Sequence, residues 1–342
     1  MASIKEVAEA AGVSTATVSR VLSNGQHVRP EVRQRVMAAV EKLQYRPNLV
    51  ARSLRSQQSN TIGLIVSDIR NPFFTSISRA VEDLAYAQGF TVLLCNTDED
   101  ANKEAIYLQL MRDTNVAGVI FSPTLQTAAK LSQQSLDFPI VIVDRTIADF
   151  EADTVLLDNV EAAWRLTTHL IQNGFEKIGA IFGETSSTGL QRQQGYEQAL
   201  QEHGLPVLPE YIRHTQPRVE AGYMAATALL NLPNPPDALL TSNSLTMEGA
   251  LQAIRSANLS IPEDIALVGF DETPWTILVQ PSITIIAQPT YEIGKTAAEL
   301  LLQRIAEPAR PARQIILRGQ LNVRESSVPL HDRVIKSVEA SG

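Results

Sequence analysis

From Thr61 to Asp271, short apolar runs alternate with amphipathic helical segments. Short runs rich in valine, isoleucine and leucine are typical of buried parallel strands, and their alternation with helices predicts doubly wound α/β sheets. The runs form two series: TIGLIVSD, TVLLCNTD, VAGVIFSP, PIVIVDR and TVLLDN, then KIGAIFG, a strand near residues 211–213, DALLTSN and IALVGFD. Two series predict two such units with a cleft between them.

The first sixty residues differ from the rest of the chain in charge. They contain 9 lysines and arginines against 4 acids, whereas the remainder contains 20 against 33, within a net charge of −8. A basic unit attached to an acidic body suggests a polyanionic partner for that unit.

The composition indicates the cellular compartment in which the protein is expected and excludes several classes of protein. The N-terminus has no apolar segment typical of a signal peptide, and no run approaches the roughly 18 apolar residues of a membrane span, so a cytoplasmic protein without a membrane partner is expected. Cys95 is the single cysteine. It is predicted to be a buried thiol, with no disulfide and no zinc site.

Three short amphipathic helices are predicted before residue 46. Ser3 and Glu6 form a capping-box pattern ahead of a helix that ends at Gly12, and Ser14 can cap a second helix. A third helix begins at Pro30, a residue tolerated in the first turn. The second helix presents Ser14, Thr15, Thr17, Ser19 and Arg20 outward. This arrangement predicts a helix-turn-helix whose second helix enters the major groove, although a generic helical bundle with a solvated Ser/Thr face would give similar periodicity.

The segment IKEVAEAAGVSTATVSRVLSNGQHV, followed by RVMAAVEKLQYRPNLVARSLRS, resembles the DNA-binding headpiece and hinge of the LacI/GalR family of bacterial repressors. The resemblance implies a homodimer that binds double-stranded, palindromic operator DNA in the nucleoid. Thr15 and Ala16 stand where a family member has larger base-reading side chains. The operator sequence of that member therefore cannot be assigned to this chain. The DNA-binding residues implied are Ser14, Thr15, Ala16, Thr17, Ser19, Arg20, Asn24, His27, Leu54 and Arg55.

The hinge is too short to form a stable helix alone in water. The resemblance implies that it folds on DNA and that Leu54 wedges between base steps in the minor groove. The alternative for Leu54 is a leucine that docks one domain on another. The C-terminal tail, VPLHDRVIKSVEASG, is too short for three leucine heptads, so a dimer rather than a tetramer is expected.

Downstream, the chain resembles the effector-binding core of the same family, itself similar to periplasmic sugar-binding proteins. The fold class expected is α/β, with an all-α headpiece and hinge helix before two doubly wound parallel-sheet subdomains of periplasmic-binding-protein type. The boundaries predicted are a headpiece over 1–46, a hinge over 47–60, a core over 61–327 and a tail over 328–342. Within the core, one subdomain is expected to comprise residues of about 61–159 and 289–319. The other is expected to comprise residues of about 160–288 and 320–327.

Ligands of open parallel sheets bind outside the carboxyl ends of the strands, where polar residues gather here. The family pattern implies that Phe73, Arg145, Arg192, Asn243, Asp271 and Gln288 bind the effector. Asp68 and Phe74 are further candidates because they follow the first strand, and Trp275 is a candidate for stacking on the ligand. The alternative for Phe73, Arg145, Asn243 and Gln288 is a strand-end residue that only caps a loop or helix. Pro217 stands where many members have an aromatic side chain that stacks on the ligand, and Trp275 is the candidate replacement.

The expected function is transcriptional regulation under control of a small effector: a sugar, sugar phosphate or sugar acid. Arg145 and Arg192 suggest an anionic sugar, although arginines also bind neutral sugars. Two alternatives remain open: a solute-binding receptor without a DNA function, and a purine- or nucleoside-responsive regulator. An enzyme is not expected, because no GxGxxG follows the first strand and no GxxxxGK[ST], GxSxG or paired metal-ligand motif occurs. No cofactor or metal is predicted.

Overall fold

The structure is a computed structural model that describes residues 2–22, 28–45, 59–131 and 136–328. The chain divides into two compact units at residue 59. No helix in these ranges is long and apolar enough to cross a membrane.

The N-terminal unit contains α1 (Ile4–Ala11), α2 (Thr15–Leu22) and α3 (Pro30–Lys42). The predicted capping box is confirmed: the Glu6 amide donates to Ser3 Oγ, and the Ser3 amide donates to the Glu6 carboxylate. Helix α1 ends at Gly12, whose φ of 61° lies in the left-handed region that favours glycine. This glycine allows the tight turn between α1 and α2.

The apolar side chains of the three helices form one small core. The fully buried members are Val7, Ala8, Ala11, Val18, Val21, Val36 and Ala39. Leu22, Val32, Val40 and Leu43 are half-buried and pack around them. The three predicted amphipathic helices therefore bury their apolar faces against one another.

The first sheet of the larger unit is wholly parallel. Its strands are β1 (Thr61–Val66), β2 (Thr91–Asn96), β3 (Gly118–Phe121), β4 (Ile140–Val143), β5 (Asp153–Leu157) and β11 (Gln314–Leu317), in the order β11-β5-β4-β3-β1-β2. The flanking helices are α4 (Pro72–Ala87), α5 (Ala101–Asp113), α6 (Leu125–Leu131) and α12 (Thr290–Ala306). Helices α4 and α12 cover one face, and α5 and α6 cover the other, so the sheet is doubly wound. Cys95 is buried in the second of these layers, as predicted.

The second sheet repeats this design. Its strands are β6 (Ile178–Gly183), β7 (Ile212–Thr215), β8 (Ala238–Thr241), β9 (Ala266–Phe270), β10 (Thr284–Ala287) and β12 (Gln320–Asn322), in the order β12-β10-β9-β8-β6-β7. Strand β12 runs antiparallel to β10. The helices are α7 (Asn159–Gln172), α8 (Ser187–Glu202), α9 (Val219–Leu230), α10 (Ser244–Ser256) and α11 (Pro274–Leu278). Helices α7 and α8 cover one face, and α9 and α10 cover the other.

The chain passes between the two sheets three times: after β5, after β10, and between β11 and β12. We call the part built on the first sheet the first subdomain and the part built on the second sheet the second subdomain. Strands β10, β11 and β12 are absent from the sequence prediction. They contain three or four residues each, and β11 and β12 are edge strands on either side of the third crossing.

Candidate DNA-reading helix and effector cleft

Helix α2 presents a polar surface beside the Gly12 turn. The Thr17 amide donates to Ser14 Oγ at 3.2 Å, so Ser14 caps the helix as predicted. The exposed positions are Ser14, Thr15, Ala16, Ser19 and Arg20. Thr17 differs from the prediction, because it is half-buried and its hydroxyl pairs with that of Ser14 at 3.0 Å. Four other predicted DNA contacts, Asn24, His27, Leu54 and Arg55, lie outside the described residues, and so does most of the hinge.

The larger unit has a polar cavity between its two sheets, at the carboxyl ends of the strands. It contains about 530 Å³ of empty space, part of it open to solvent. Eight of the predicted effector residues line it: Asp68, Phe73, Phe74, Arg145, Arg192, Asn243, Asp271 and Gln288. We call this space the inner cavity. The topology therefore brings together side chains that are more than 200 residues apart in the chain.

Trp275 is the exception among the predicted effector residues. It lies on α11, is half-buried and packs against the apolar layer that includes Ile283 and Ile285, and it is not among the lining residues. In this structure Trp275 therefore does not line the inner cavity, and its suggested stacking role stays a prediction. Pro217 does line the inner cavity.

Arg192 is held on three sides within the second subdomain. It lies in α8, where its Nε donates to Asn159 Oδ1 at 2.9 Å and its Nη1 donates to the Ser242 carbonyl. Its guanidinium carbon lies 3.9 Å from the centre of the Phe270 ring, a cation–π contact. Burial lowers the pKa of Arg192, although Asp271 and Asp144 oppose this effect. The guanidinium is therefore fixed in position before a ligand arrives.

Arg145, at the end of β4, is largely neutralised by acids. Its Nη1 donates to Glu99 Oε2 at 2.9 Å, and its Nε lies 3.3 Å from Asp144 Oδ2. Burial alone would lower the pKa of Arg145, but the charge of Glu99 and its hydrogen bonds raise it. Glu99 also lines the inner cavity and is missing from the sequence prediction. It follows β2 by three residues, so the same strand-end rule could have found it.

Asp144 and Asp271 occupy equivalent places in the two sheets. Each follows a central strand, and each donates its amide to the next strand, to Val155 and Ile286 respectively, at 3.0 Å. Both adopt left-handed backbone conformations, with φ of 67° and 77°, which aspartate tolerates better than most residues. Burial raises the pKa of Asp144, although Arg145 and Arg192 oppose this effect. Asp144 and Asp271 thus line the inner cavity from opposite subdomains.

Asp271 and its neighbours form an ordered set of hydrogen-bonding groups. Asp271 accepts from the Ser244 amide at 3.1 Å and from Gln288 Nε2 at 2.6 Å. Gln288 Oε1 is buried and has no partner among the described residues. A ligand hydroxyl could supply the missing donor.

Four hydrogen bonds join the two subdomains around the inner cavity. The Thr185 hydroxyl donates to Glu99 Oε2 at 3.1 Å, and the Thr185 backbone carbonyl accepts from the Leu125 amide at 3.0 Å. Two further bonds run from the Thr146 amide to Ser187 Oγ and from Ser244 Oγ to Asn71 Oδ1. In this structure the cleft is therefore closed by direct contacts between its walls.

A helix-turn-helix unit followed by two doubly wound subdomains around a polar cleft defines a DNA-binding regulator with a ligand-binding core. Residues 3–48 match the family model described as bacterial regulatory proteins, lacI family. Residues 59–323 match the model described as periplasmic binding proteins and sugar binding domain of LacI family. The chain belongs to the LacI family of bacterial regulatory proteins.

Relatives and solved structures agree with this assignment. The chain is 33% identical over 329 residues to the HTH-type transcriptional regulator RegA of Clostridium saccharobutylicum, covering 95% of this chain and 99% of RegA. It superposes with a TM-score of 0.84 and 26% identity on a lac repressor dimer bound to operator and the anti-inducer ONPF, covering 96% and 99% of the two chains. A complex of the transcriptional regulator CelR with cellobiose gives a TM-score of 0.72 and 26% identity, covering 95% and 100%.

These comparisons confirm the predicted fold class and family. The protein is a DNA-binding transcriptional regulator of the helix-turn-helix type with a ligand-binding core, and it is not an enzyme. Among the described residues, no group of three or more histidine, cysteine or acidic side chains is arranged to hold a metal ion.

Proposed function

We propose that the protein is a repressor that reads a palindromic operator through α2 and releases or engages DNA in response to an uncharged, sugar-like effector bound in the inner cavity. It would act on chromosomal DNA in the bacterial cytoplasm. The observation that supports an uncharged effector is that groups of the protein already offset the charges of the two arginines in the inner cavity. Arg145 is paired with Glu99 and Asp144. Arg192 keeps donors for a ligand, but its positive charge is already offset by the nearby carboxylates of Asp144 and Asp271, so neither arginine needs an anionic ligand as a counter-ion.

The charges of the inner cavity disfavour an anionic effector. Its lining includes four carboxyl groups, on Asp68, Glu99, Asp144 and Asp271, against two guanidinium groups. Burying a further negative charge beside these carboxylates would be costly without a new cationic partner. Carboxylates and amide oxygens accept hydrogen bonds from hydroxyls, so the lining suits a neutral polyol better than a sugar phosphate or sugar acid.

A thermal-shift screen tests this ligand class on the full chain. A ligand present at 100 times its dissociation constant stabilises the folded state by about 2.7 kcal/mol. We expect one or more uncharged sugars to raise the unfolding temperature, while the matching sugar phosphates and sugar acids do not. A shift confined to the phosphates, the acids or a set of nucleobases and nucleosides would contradict the proposal.

Arg20 is the proposed base-reading arginine of α2. Because arginine can donate two hydrogen bonds to guanine, Arg20→Ala is expected to weaken binding to the cognate operator by about 1–3 kcal/mol and to relax preference at one base pair of each half-site. An operator selected from a random oligonucleotide pool, followed by titrations on that operator and on random DNA, measures both effects.

Lys42→Ala provides the matched control, since it removes one positive charge from the exposed end of α3. This change should weaken operator and random DNA equally, as expected for a loss of general attraction to phosphates. An equal loss on both DNAs for Arg20→Ala would mean that Arg20 contacts phosphate only.

We further propose a homodimer joined through the side of the first subdomain that carries β2. Strand β2 is an edge strand, and the elements around it expose apolar side chains: Tyr86 is 79% exposed, and Leu94 is 46% exposed. An exposed edge with apolar neighbours suits pairing with a second copy about a two-fold axis, which a palindromic operator also requires. Sedimentation at micromolar protein should give a dimer, and a stable monomer or tetramer would argue against this interface.

A further inference from the structure

Asn159 is a buried polar residue at the first crossing between the two subdomains. Strand β5 of the first subdomain ends at Leu157, and α7 of the second subdomain begins at Asn159, two residues later. Asn159 is only 2% exposed. It is not among the described residues that line the inner cavity, so its amide group serves contacts within the protein.

The amide group of Asn159 joins an effector-binding candidate to the end of a first-subdomain strand. Its Oδ1 accepts from Arg192 Nε at 2.9 Å, and its Nδ2 donates to the Leu157 carbonyl at 3.2 Å. Nδ2 also donates to Gln191 Oε1 at 3.1 Å. An amide can accept at its oxygen while it donates at its nitrogen, which an ionised carboxylate cannot do. One planar group therefore fixes the position of Arg192 relative to Leu157.

The three crossings are in contact with one another. The Asp158 amide of the first crossing donates to the Leu317 carbonyl of the third at 2.9 Å. Gly319, also in the third crossing, is buried, and a Cβ atom there would lie 2.5 Å from Ile286 Cγ2 of β10 and 3.5 Å from Leu157 Cδ1. The third crossing thus packs between the first crossing and the strand that leads into the second. Because packed elements shift together rather than deform separately, a displacement at Leu157 affects all three crossings.

We propose that Asn159 is a positioning residue that transmits effector binding from Arg192 to the first crossing. An effector that accepts from the remaining donors of Arg192 shifts the guanidinium, and Asn159 carries this shift to Leu157 and so to the first subdomain. This inference rests on the proposed function, in which Arg192 contacts the effector. It extends that function to the route by which an occupied inner cavity alters operator binding.

The experiment measures the fold-change in operator affinity that a saturating effector produces in the full-length protein, since this quantity is the coupling between the two sites. The probe is the uncharged sugar that gives the largest thermal shift with the wild type. Asn159→Asp keeps an acceptor for Arg192 but loses the donor to the Leu157 carbonyl. We expect this variant to bind the probe within about 3-fold of the wild type, and its coupling to fall by about 10-fold or to disappear.

Asn159→Ala is a second variant, which introduces no buried charge and removes both bonds. It should lose the coupling to the same extent and should also bind the probe more weakly. Two controls separate transmission from a general loosening of the core. Gln191→Ala removes only the other acceptor of Asn159 Nδ2 and should leave the coupling unchanged. Arg165→Ala removes the donor to the Gly319 carbonyl at 3.2 Å, a contact at the third crossing that involves no lining residue of the inner cavity. It should lower the unfolding temperature without altering the coupling.

A further measurement needs no effector. If Asn159 links Arg192 to the crossing, Arg192→Ala should speed amide hydrogen exchange in residues 157–160 by about 3-fold or more, relative to strand β3 in the same protein. Arg255→Ala, which removes an exposed arginine at the end of α10, should not do so.

The outcomes separate this inference from the function on which it rests. Wild-type coupling in folded Asn159→Asp and Asn159→Ala proteins, or an equal loss in Arg165→Ala, would exclude transmission through Asn159 while sugar binding stands. If no sugar binds the wild type but a sugar phosphate, sugar acid or nucleoside does, the proposed ligand class fails, and the same variants are compared with that compound. Unchanged exchange at residues 157–160 in Arg192→Ala would overturn the link whichever compound binds, and this measurement decides alone if none does.

Discussion

Arg192→Ala is expected to abolish the response to the effector while leaving specific operator binding in place. If the Arg192 guanidinium donates to the ligand through two charge-assisted hydrogen bonds, their loss should lower ligand affinity by about 3 kcal/mol, or about 100-fold. The headpiece is a separate unit, so operator binding without ligand should change little. Operator titrations with and without the sugar found by the thermal-shift screen measure both quantities.

The structure also predicts a cost in stability for this variant. Removing Arg192 leaves Asn159 Oδ1 and the Ser242 carbonyl without these donors, which should destabilise the core by about 1–3 kcal/mol. The control is Arg255→Ala, which removes an exposed arginine at the end of α10 and should alter neither stability nor response. An intact effector response in folded Arg192→Ala protein would exclude the inner cavity as the effector site.

Gly195→Ala is expected to destabilise the second subdomain strongly. A Cβ atom at Gly195 would lie 2.1 Å from the Val160 carbonyl oxygen and 2.9 Å from the Trp164 amide nitrogen, so α7 and α8 would have to move apart. Overpacking of this kind typically costs about 1–3 kcal/mol, and here backbone rather than a flexible side chain is in the way. The gain in helix propensity from glycine to alanine, about 1 kcal/mol, offsets part of the cost. We expect a net loss of about 2 kcal/mol in denaturant unfolding.

Gln194→Ala is the matched control for this change, because it introduces alanine at an exposed position next to Gly195 in the same helix. It should leave stability within about 0.5 kcal/mol of the wild type. Separation of α7 from α8 should also disturb the bond from Arg192 to Asn159, so Gly195→Ala should weaken effector binding. A Gly195→Ala protein as stable as the control would show that the two helices can separate at little cost.

Much of the cleft lining could be predicted from the sequence, because ligand-binding residues of parallel sheets follow the carboxyl ends of the strands. Asp68, Arg145, Asn243 and Asp271 each follow a strand directly or within two residues, and parallel strands bring such positions to one edge. The family pattern supplied Arg192 and Gln288, which periodicity alone would not have selected. Their roles in binding stay predictions.

The features that the sequence did not predict depend on local packing, loop conformation and strand position. Trp275 was selected by residue type, but its position depends on how α11 packs against a neighbouring apolar layer. Glu99 lies in a loop with a left-handed φ of 60°, and no residue pattern marks its partnership with Arg145, 46 positions further along the chain. Strands β11 and β12 are edge strands of four and three residues, which carry little periodic signal, whereas β10 lies inside its sheet and was not predicted.

The three crossings between the sheets determine when each half of the core can be completed during synthesis. The first subdomain starts at β1, yet its helix α12 and edge strand β11 are supplied by residues 290–317. The second subdomain in turn needs β12, which ends at Asn322. The ribosome must therefore make nearly the whole chain before either sheet has all its strands, whereas the headpiece is complete within the first sixty residues. A nascent chain would present a DNA-reading unit before it has a finished core that could regulate it.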